Sequence, residues 1–198
     1  MEIIAQGAEA VVYLEKGSIV KERVKKSYRL PQIDERLRKF RTNRETKVLK
    51  KLREHGFTVP NVLENNENNK IVMQHIEGEL VKNILEGSDY KKLGYRIGCK
   101  LAFMHESSVI HADLTTSNLM VFEDEIYFLD FGLSYFSDKT EDKAVDLHLL
   151  KQSLESKHHE VYGVVFEKVL EGYGGGKSSA SVLRRLEKVE QRGRHKKK

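Results

Sequence analysis

The residues best suited to chemistry lie near the middle of the chain, in His111-Ala112-Asp113-Leu114-Thr115-Thr116-Ser117-Asn118, with Asp130-Phe131-Gly132 a short distance beyond. A carboxylate, an amide five residues later and a second carboxylate before a glycine form the donor set that phosphoryl transfer demands. Asp113 is placed to orient an attacking hydroxyl or water and accept its proton. Asn118 and Asp130 offer hard oxygen ligands for a Mg2+ that bridges the phosphates of ATP. His111 reads as a packing and hydrogen-bonding residue beneath the loop, and Gly132 as the point of a sharp backbone turn. The seven specified residues match H-x-D-L-x-x-x-N followed by D-F-G, which arises by chance on the order of one time in a billion at average usage.

A protein-kinase pattern of this type requires a lysine on the third strand of a small lobe and a glutamate on its long helix. Ile19-Val20-Lys21 supplies the lysine, and Glu45 sits in mid-helix at compatible spacing. Lys21 would hold the phosphates, and Glu45 would orient Lys21. Alone, each reads as a surface charge; the downstream motifs change that reading. Gly7-Ala8-Glu9-Ala10 stands where a phosphate-covering loop belongs, although only Gly7 remains of the usual glycines. Met73, Gln74 and Ile76 fall on the segment that would meet the adenine edge, and Met73 reads equally well as an ordinary core residue.

The elements that must carry these groups can be read from periodicity. Residues 2–6, 11–15 and 19–23 read as strands, with a turn at Gly17-Ser18. Ile33, Leu37, Phe40, Val48, Leu49 and Leu52 recur at helical spacing from 33 to 53, interrupted near Thr42-Asn43 and stopped at Gly56. A strand pair at 62–64 and 71–76 flanks an Asn/Glu-rich loop, and Gly78 marks a crossing point. Helices are expected at 90–106, 139–155, 158–171 and 179–191, and strands at 119–122 and 126–129. The Gly-rich run 172–176 reads as a break between the last two helices. The expected architecture is α+β, a minimal bilobal kinase-like fold. A β-rich N-lobe with one long helix covers 1–77, a reduced helical C-lobe 78–191, and a basic tail 192–198.

Ala112 stands where an arginine usually precedes the catalytic aspartate, no A-P-E follows, and a helical pattern begins at Asp138. An activation segment and a peptide-docking surface are therefore not expected, which argues against ordinary peptide phosphorylation. Asp146, on the following helix, is placed to brace the catalytic loop by accepting backbone N–H bonds, or to be a solvated helix charge. No apolar run approaches the roughly 20 residues of a membrane helix, and no signal peptide is visible. The one cysteine, Cys99, reads as a small buried apolar residue and fits a reducing cytoplasm. Net charge is +5, but residues 16–55 hold fifteen Lys/Arg against five Asp/Glu, and the tail carries Arg192, Arg194, Lys196, Lys197 and Lys198. Such patches suggest polyanionic partners or a solvated helix face and frayed tail.

Beyond these general motifs, the chain resembles the small atypical kinase of the KEOPS (EKC) complex, a relative of the RIO kinases. The resemblance covers almost the whole chain. It is carried by Lys26-Ser27-Tyr28-Arg29-Leu30-Pro31, Ile33-Asp34, Arg41-Thr42 before Glu45, and the threonine-rich loop 111–118, where the family usually has glycine at the Ala112 position. Lys143-Ala144-Val145-Asp146-Leu147, the helix from Val182 to Glu187, and Arg192-Gly193-Arg194 complete it. The resemblance implies a Ser/Thr kinase that autophosphorylates and acts mainly as an ATPase supporting threonylcarbamoyl-adenosine synthesis on tRNA. It also implies an ASKHA-fold catalytic partner, a small subunit docking on the N-lobe, and a tail that engages tRNA. Two other readings stand beside it: a small-molecule phosphotransferase of the aminoglycoside-kinase type, and a partner-binding pseudokinase scaffold. The D-F-G and short length disfavour the former, and the presence of Lys21, Asp113, Asn118 and Asp130 disfavours the latter.

Overall fold

The computed structural model describes residues 2–7, 9–66, 69–177 and 179–194. The chain divides into two units: one formed by Met1–Glu77 with Asp130–Leu133, the other by Gly78–Leu129 with Ser134–Lys198.

In the first unit, β1 (Glu2–Gln6), β2 (Ala10–Glu15), β3 (Ser18–Arg23), β4 (Val62–Asn66) and β5 (Lys70–Gln74) form one antiparallel sheet in the order β1-β2-β3-β5-β4. The turn between β2 and β3 is Lys16-Gly17, both at positive φ (49° and 76°), so the bend lies one residue earlier than expected. Two left-handed residues match the twist of the paired strands. The Asn/Glu-rich loop expected between β4 and β5 falls partly outside the described residues, at Glu67 and Asn68.

The long helix α1 runs unbroken from Pro31 to Glu54. Pro31 opens it, where a missing N–H costs nothing, and Gly56 ends it at φ 78°. The expected interruption at Thr42-Asn43 does not occur. Thr42 is completely buried, and tertiary packing overrides the small helix penalty of a β-branched residue. The apolar reading of the helix holds for its C-terminal half, where Val48, Leu49 and Leu52 are buried. Ile33 and Phe40, in its first half, are exposed.

In the second unit, α3 (Tyr90–Glu106) packs against α5 (Tyr162–Gly174), and α4 (Thr140–Lys157) against α6 (Ser179–Arg194). Asp89 caps α3 by accepting the Lys92 N–H. Gly172 is not part of a break: it lies inside α5, and a Cβ there would stand 2.0 Å from the Tyr95 carbonyl oxygen. Gly98 faces the Val169 carbonyl equally closely, so the two helices cross at a separation that only glycine permits. Cys99 is exposed rather than buried, because Gly98 and Leu101 occupy the packed face of α3. Four short elements escape a periodicity reading. These are β6 (Glu79–Leu80) with α2 (Val81–Ile84), β7 (Val109–Ile110), and β10 (Tyr135–Phe136). β6 joins β8 (Leu119–Phe122) and β9 (Glu125–Phe128) in a three-stranded sheet, and β7 pairs with β10. Gly78 leads into β6, where a Cβ would meet the Val121 carbonyl oxygen at 2.5 Å. No helix among the described residues is long and apolar enough to cross a membrane.

Candidate active site

Each unit assembles one half of the expected chemistry. In the first, the alternation of β3 places Lys21 and Arg23 on the same buried face. Lys21 Nζ donates to Glu45 Oε1 at 2.7 Å and to Asp130 Oδ1 at 2.6 Å. Arg23 Nη2 donates to Glu45 Oε2 at 2.5 Å. Two cations thus face two carboxylates, and the group balances in charge where neither ion could be buried alone. Burial pulls the Lys21 ammonium toward neutrality, but Glu45 and then Asp130 overcome this, and its pKa lies above the ordinary lysine value. Lys21 and Glu45 are buried, while the Asp130 side chain is 49% exposed and forms the open end of the group. Asp130 sits at φ 55° and accepts the Gly132 N–H at 3.1 Å. A Cβ on residue 132 would lie 2.9 Å from Asp130 Oδ1 and 3.1 Å from Arg23 Nη2, so a side chain there would press on the ends of both.

Arg23 did not emerge from the sequence reading. The available signal was strand alternation, since a residue two positions after a buried lysine shares its face. Met73 and Ile76 are buried, and Gln74 pairs with Asn61, donating its backbone N–H to the Asn61 carbonyl at 2.8 Å. Gly7 N–H donates to the Ala10 carbonyl at 2.9 Å, closing the turn between β1 and β2. Ala8, also assigned to this loop, lies outside the described residues.

In the second unit, the loop 111–118 hangs from Asp146. Its Oδ2 accepts the His111 N–H at 2.7 Å, and its Oδ1 accepts the Ala112 N–H at 2.8 Å. Asp146 is completely buried, so it braces the loop and is not a solvated charge. His111 is buried and donates Nε2–H to the Leu129 carbonyl at 2.9 Å. Beneath Asp146 lie two residues that no sequence motif singles out. His105 Nε2 is 3.2 Å from Asp146 Oδ2, and its Nδ1 is 2.8 Å from the Tyr173 hydroxyl. Burial holds His105 below its ordinary pKa despite the neighbouring Asp146 carboxylate, so at neutral pH it is an uncharged link. Burial, then Asp146, push the Tyr173 hydroxyl upward, so it stays protonated and donates.

The Asp113 carboxylate is exposed. Asn118 Nδ2 donates to the Asp113 carbonyl at 2.8 Å and contacts its Oδ2 at 3.3 Å. With its nitrogen committed there, the Asn118 side-chain oxygen is the atom available to a hard cation. The Asn118 backbone carbonyl accepts the Leu129 N–H at 2.8 Å, and Asp130 follows Leu129 directly in the chain.

Ala112 holds φ 64°, a left-handed conformation that its Cβ disfavours. Ala112→Gly is therefore expected to raise the unfolding free energy by about 1 kcal/mol in urea denaturation. A loss of stability would contradict the assignment of strain to this residue.

At the end of α6, Arg192 Nη1 donates to Glu141 Oε1 at 2.8 Å, and Arg185 pairs with the same carboxylate. The helix continues through Arg194, three residues beyond its expected end at 191. The Arg194 side chain and Lys196, Lys197 and Lys198 lie outside the described residues.

A β-sheet unit carrying a lysine–glutamate pair, followed by a helical unit carrying an H-x-D loop, defines a protein-kinase-like class. Among solved structures, the chain is similar to the Rio2 kinase–ADP/Mg2+–phosphoaspartate complex from Chaetomium thermophilum. The TM-score is 0.66 at 16% identity, over 98% of this chain and 72% of that one. A RIO domain is matched at residues 12–168. The KEOPS complex subunit Bud32 of Pyrococcus abyssi is 42% identical over 212 residues, covering 98% of this chain and 96% of that protein. The chain belongs to the RIO domain family, on the branch that includes this Bud32. A probable bifunctional tRNA threonylcarbamoyladenosine biosynthesis protein of Methanocaldococcus jannaschii is 40% identical over 98% of this chain, which spans only 37% of that longer protein.

Proposed function

We propose that this protein transfers the γ-phosphoryl group of ATP, as a Ser/Thr kinase and ATPase subunit of a KEOPS complex supporting threonylcarbamoyl-adenosine formation on tRNA. The observation that carries the chemistry is the buried Lys21, held between Glu45 and the half-exposed Asp130. A lysine kept charged by two carboxylates can exchange one of them for phosphate oxygens without ever being buried unpaired. The names of the relatives support the biological setting.

In this reading Asp113 accepts the proton of the attacking hydroxyl or water. The nucleophile's oxygen bonds to the γ-phosphorus as the bond to the β–γ bridging oxygen breaks, and ADP leaves with that electron pair. Asn118 and Asp130 would hold Mg2+, which when bound neutralises phosphate charge. No cluster of three or more His, Cys, Asp or Glu side chains suited to a metal occurs among the described residues. Lys21 orients the phosphates, and Asp146 keeps Asp113 in register. Met73, Gln74 and Ile76 would border the adenine, and Gly7, Glu9 and Ala10 the phosphates. Arg192, Arg194 and Lys196–Lys198 would meet tRNA or the ASKHA-fold partner, and a small subunit would dock on the first unit. We place the protein in the cytoplasm, where its lone thiol stays reduced.

The test is ATP hydrolysis by purified protein, with and without the ASKHA-fold subunit and tRNA. Turnover that rises with the partner is expected. Phosphorylation of an aminoglycoside or similar metabolite in its place would overturn the reading.

A further inference from the structure

The loop between β1 and β2 is asked to cover phosphates with one glycine, Gly7. Glycine-rich loops in this role let the backbone settle around the nucleotide; a glycine-poor loop must be set in place beforehand. The structure shows what sets it. Glu9 Oε1 accepts Arg29 Nη2 at 3.0 Å, and Glu9 Oε2 accepts Arg41 Nη1 at 2.7 Å. The Glu9 backbone carbonyl accepts the Val24 N–H at 3.2 Å. One loop residue is thus tied to three places in the first unit: the end of β3, the stretch leading to α1, and the middle of α1.

The anchors are anchored in turn. Asp34 is completely buried and accepts the Lys26 N–H at 3.2 Å and Arg38 Nε at 2.7 Å, and it lies 3.7 Å from Arg29 Nη1. Burial raises the Asp34 carboxyl, but the bonds from Arg38 and the Lys26 backbone outweigh it and hold the group ionised. Lys26 through Pro31, Asp34 and Arg41 belong to the sequence motif that the catalytic reading leaves without a role. Of these, Arg29 and Arg41 reach the loop at Glu9, and Asp34 lies against Arg29.

We propose that Glu9, Arg29 and Arg41 form an ionic clamp that positions the phosphate-covering loop in place of the glycines it lacks. This rests on the nucleotide-binding reading above. A lone carboxylate in such a loop would repel phosphate. Two guanidinium groups cancel that charge and turn it into a fastening. The three side chains are only partly exposed, at 39%, 18% and 27%, so the clamp is strong enough to bias the loop and open enough to feel salt.

The experiment compares Glu9→Gln, Arg41→Gln and the double variant with wild type in two readouts. The first is amide hydrogen exchange over residues 2–15 without nucleotide. The second is the dissociation constant of Mg2+ with a fluorescent methylanthraniloyl ATP. The clamp predicts faster exchange in Glu9→Gln and nucleotide binding weakened roughly fivefold to tenfold at low salt. The gap should close at about 1 M salt, where the screening length is about 3 Å. The double variant should bind no worse than Glu9→Gln, because removing the carboxylate already releases Arg41. Unchanged exchange, or faster exchange with unchanged affinity, would overturn the clamp. Failure of the wild-type protein to bind nucleotide, with exchange still accelerated by Glu9→Gln, would instead overturn the nucleotide reading on which the positioning role depends.

Discussion

Asp113→Ala lowers ATP turnover by at least about a hundredfold, the usual contribution of a positioned general base. The expectation follows from how the loop is held. Asp146 fastens the backbone at His111 and Ala112, and Asn118 fastens it again at the Asp113 carbonyl. With both ends fixed by groups other than its own side chain, removing the Asp113 carboxylate leaves the loop standing. The affinity for Mg2+–ATP should therefore change little while the rate collapses. A steady-state measurement of kcat and KM separates the two. A variant that keeps more than about a tenth of wild-type kcat would show that Asp113 is not the base.

Glu45→Gln is expected to destabilise the fold by about 3–5 kcal/mol, the range for breaking a buried ion pair from one side. Glu45 is the carboxylate that Lys21 and Arg23 share, and all three are buried. An amide in its place leaves two cations with Asp130 alone, and Asp130 is half exposed. For a chain of this size the melting temperature should fall by roughly 10 °C. The effect also carries a pH signature. The Lys21 pKa is raised in the folded state, so its contribution to stability is complete below the unfolded value of about 10.4 and is lost as pH rises through the folded value. Without Glu45 the raised value falls back, so the wild-type advantage should narrow as pH rises above the ordinary lysine value. Urea denaturation at pH 7 and pH 11 checks both parts. A variant within about 1 kcal/mol of wild type at pH 7 would remove the buried cluster from the account.

Groups with a fixed spacing to a motif could be read from the sequence, and groups whose partners are distant in the chain could not. Lys21 and Glu45 are 24 residues apart and meet because each occupies a known place relative to the strand and helix that carry it. Asp146 could be given two readings beforehand, and the structure selects the brace. Arg23 was legible only through strand alternation after Lys21, and His105 and Tyr173 carried no signal, since their role comes from a contact with each other across 68 positions. Arg29 and Arg41 were quoted as parts of a motif, yet their target, Glu9, lies 20 and 32 residues away. Among the elements, long periodic helices were clear, and two-residue strands were not, since two residues carry no period. Gly175-Gly176 do separate the last two helices, and the misreading of the start of that run has a related cause. Gly172 is helical because a neighbouring helix presses on it, and nothing in the sequence around it records that pressure.

The most direct test of the central claim is a crystal structure of this protein with a non-hydrolysable ATP analogue and Mg2+. Phosphate oxygens are expected on Lys21 Nζ, the metal on Asn118 and Asp130 oxygens, and the Asp113 carboxylate facing the γ-phosphoryl group. A nucleotide seated elsewhere, with Lys21 still bound only to Glu45 and Asp130, would contradict it.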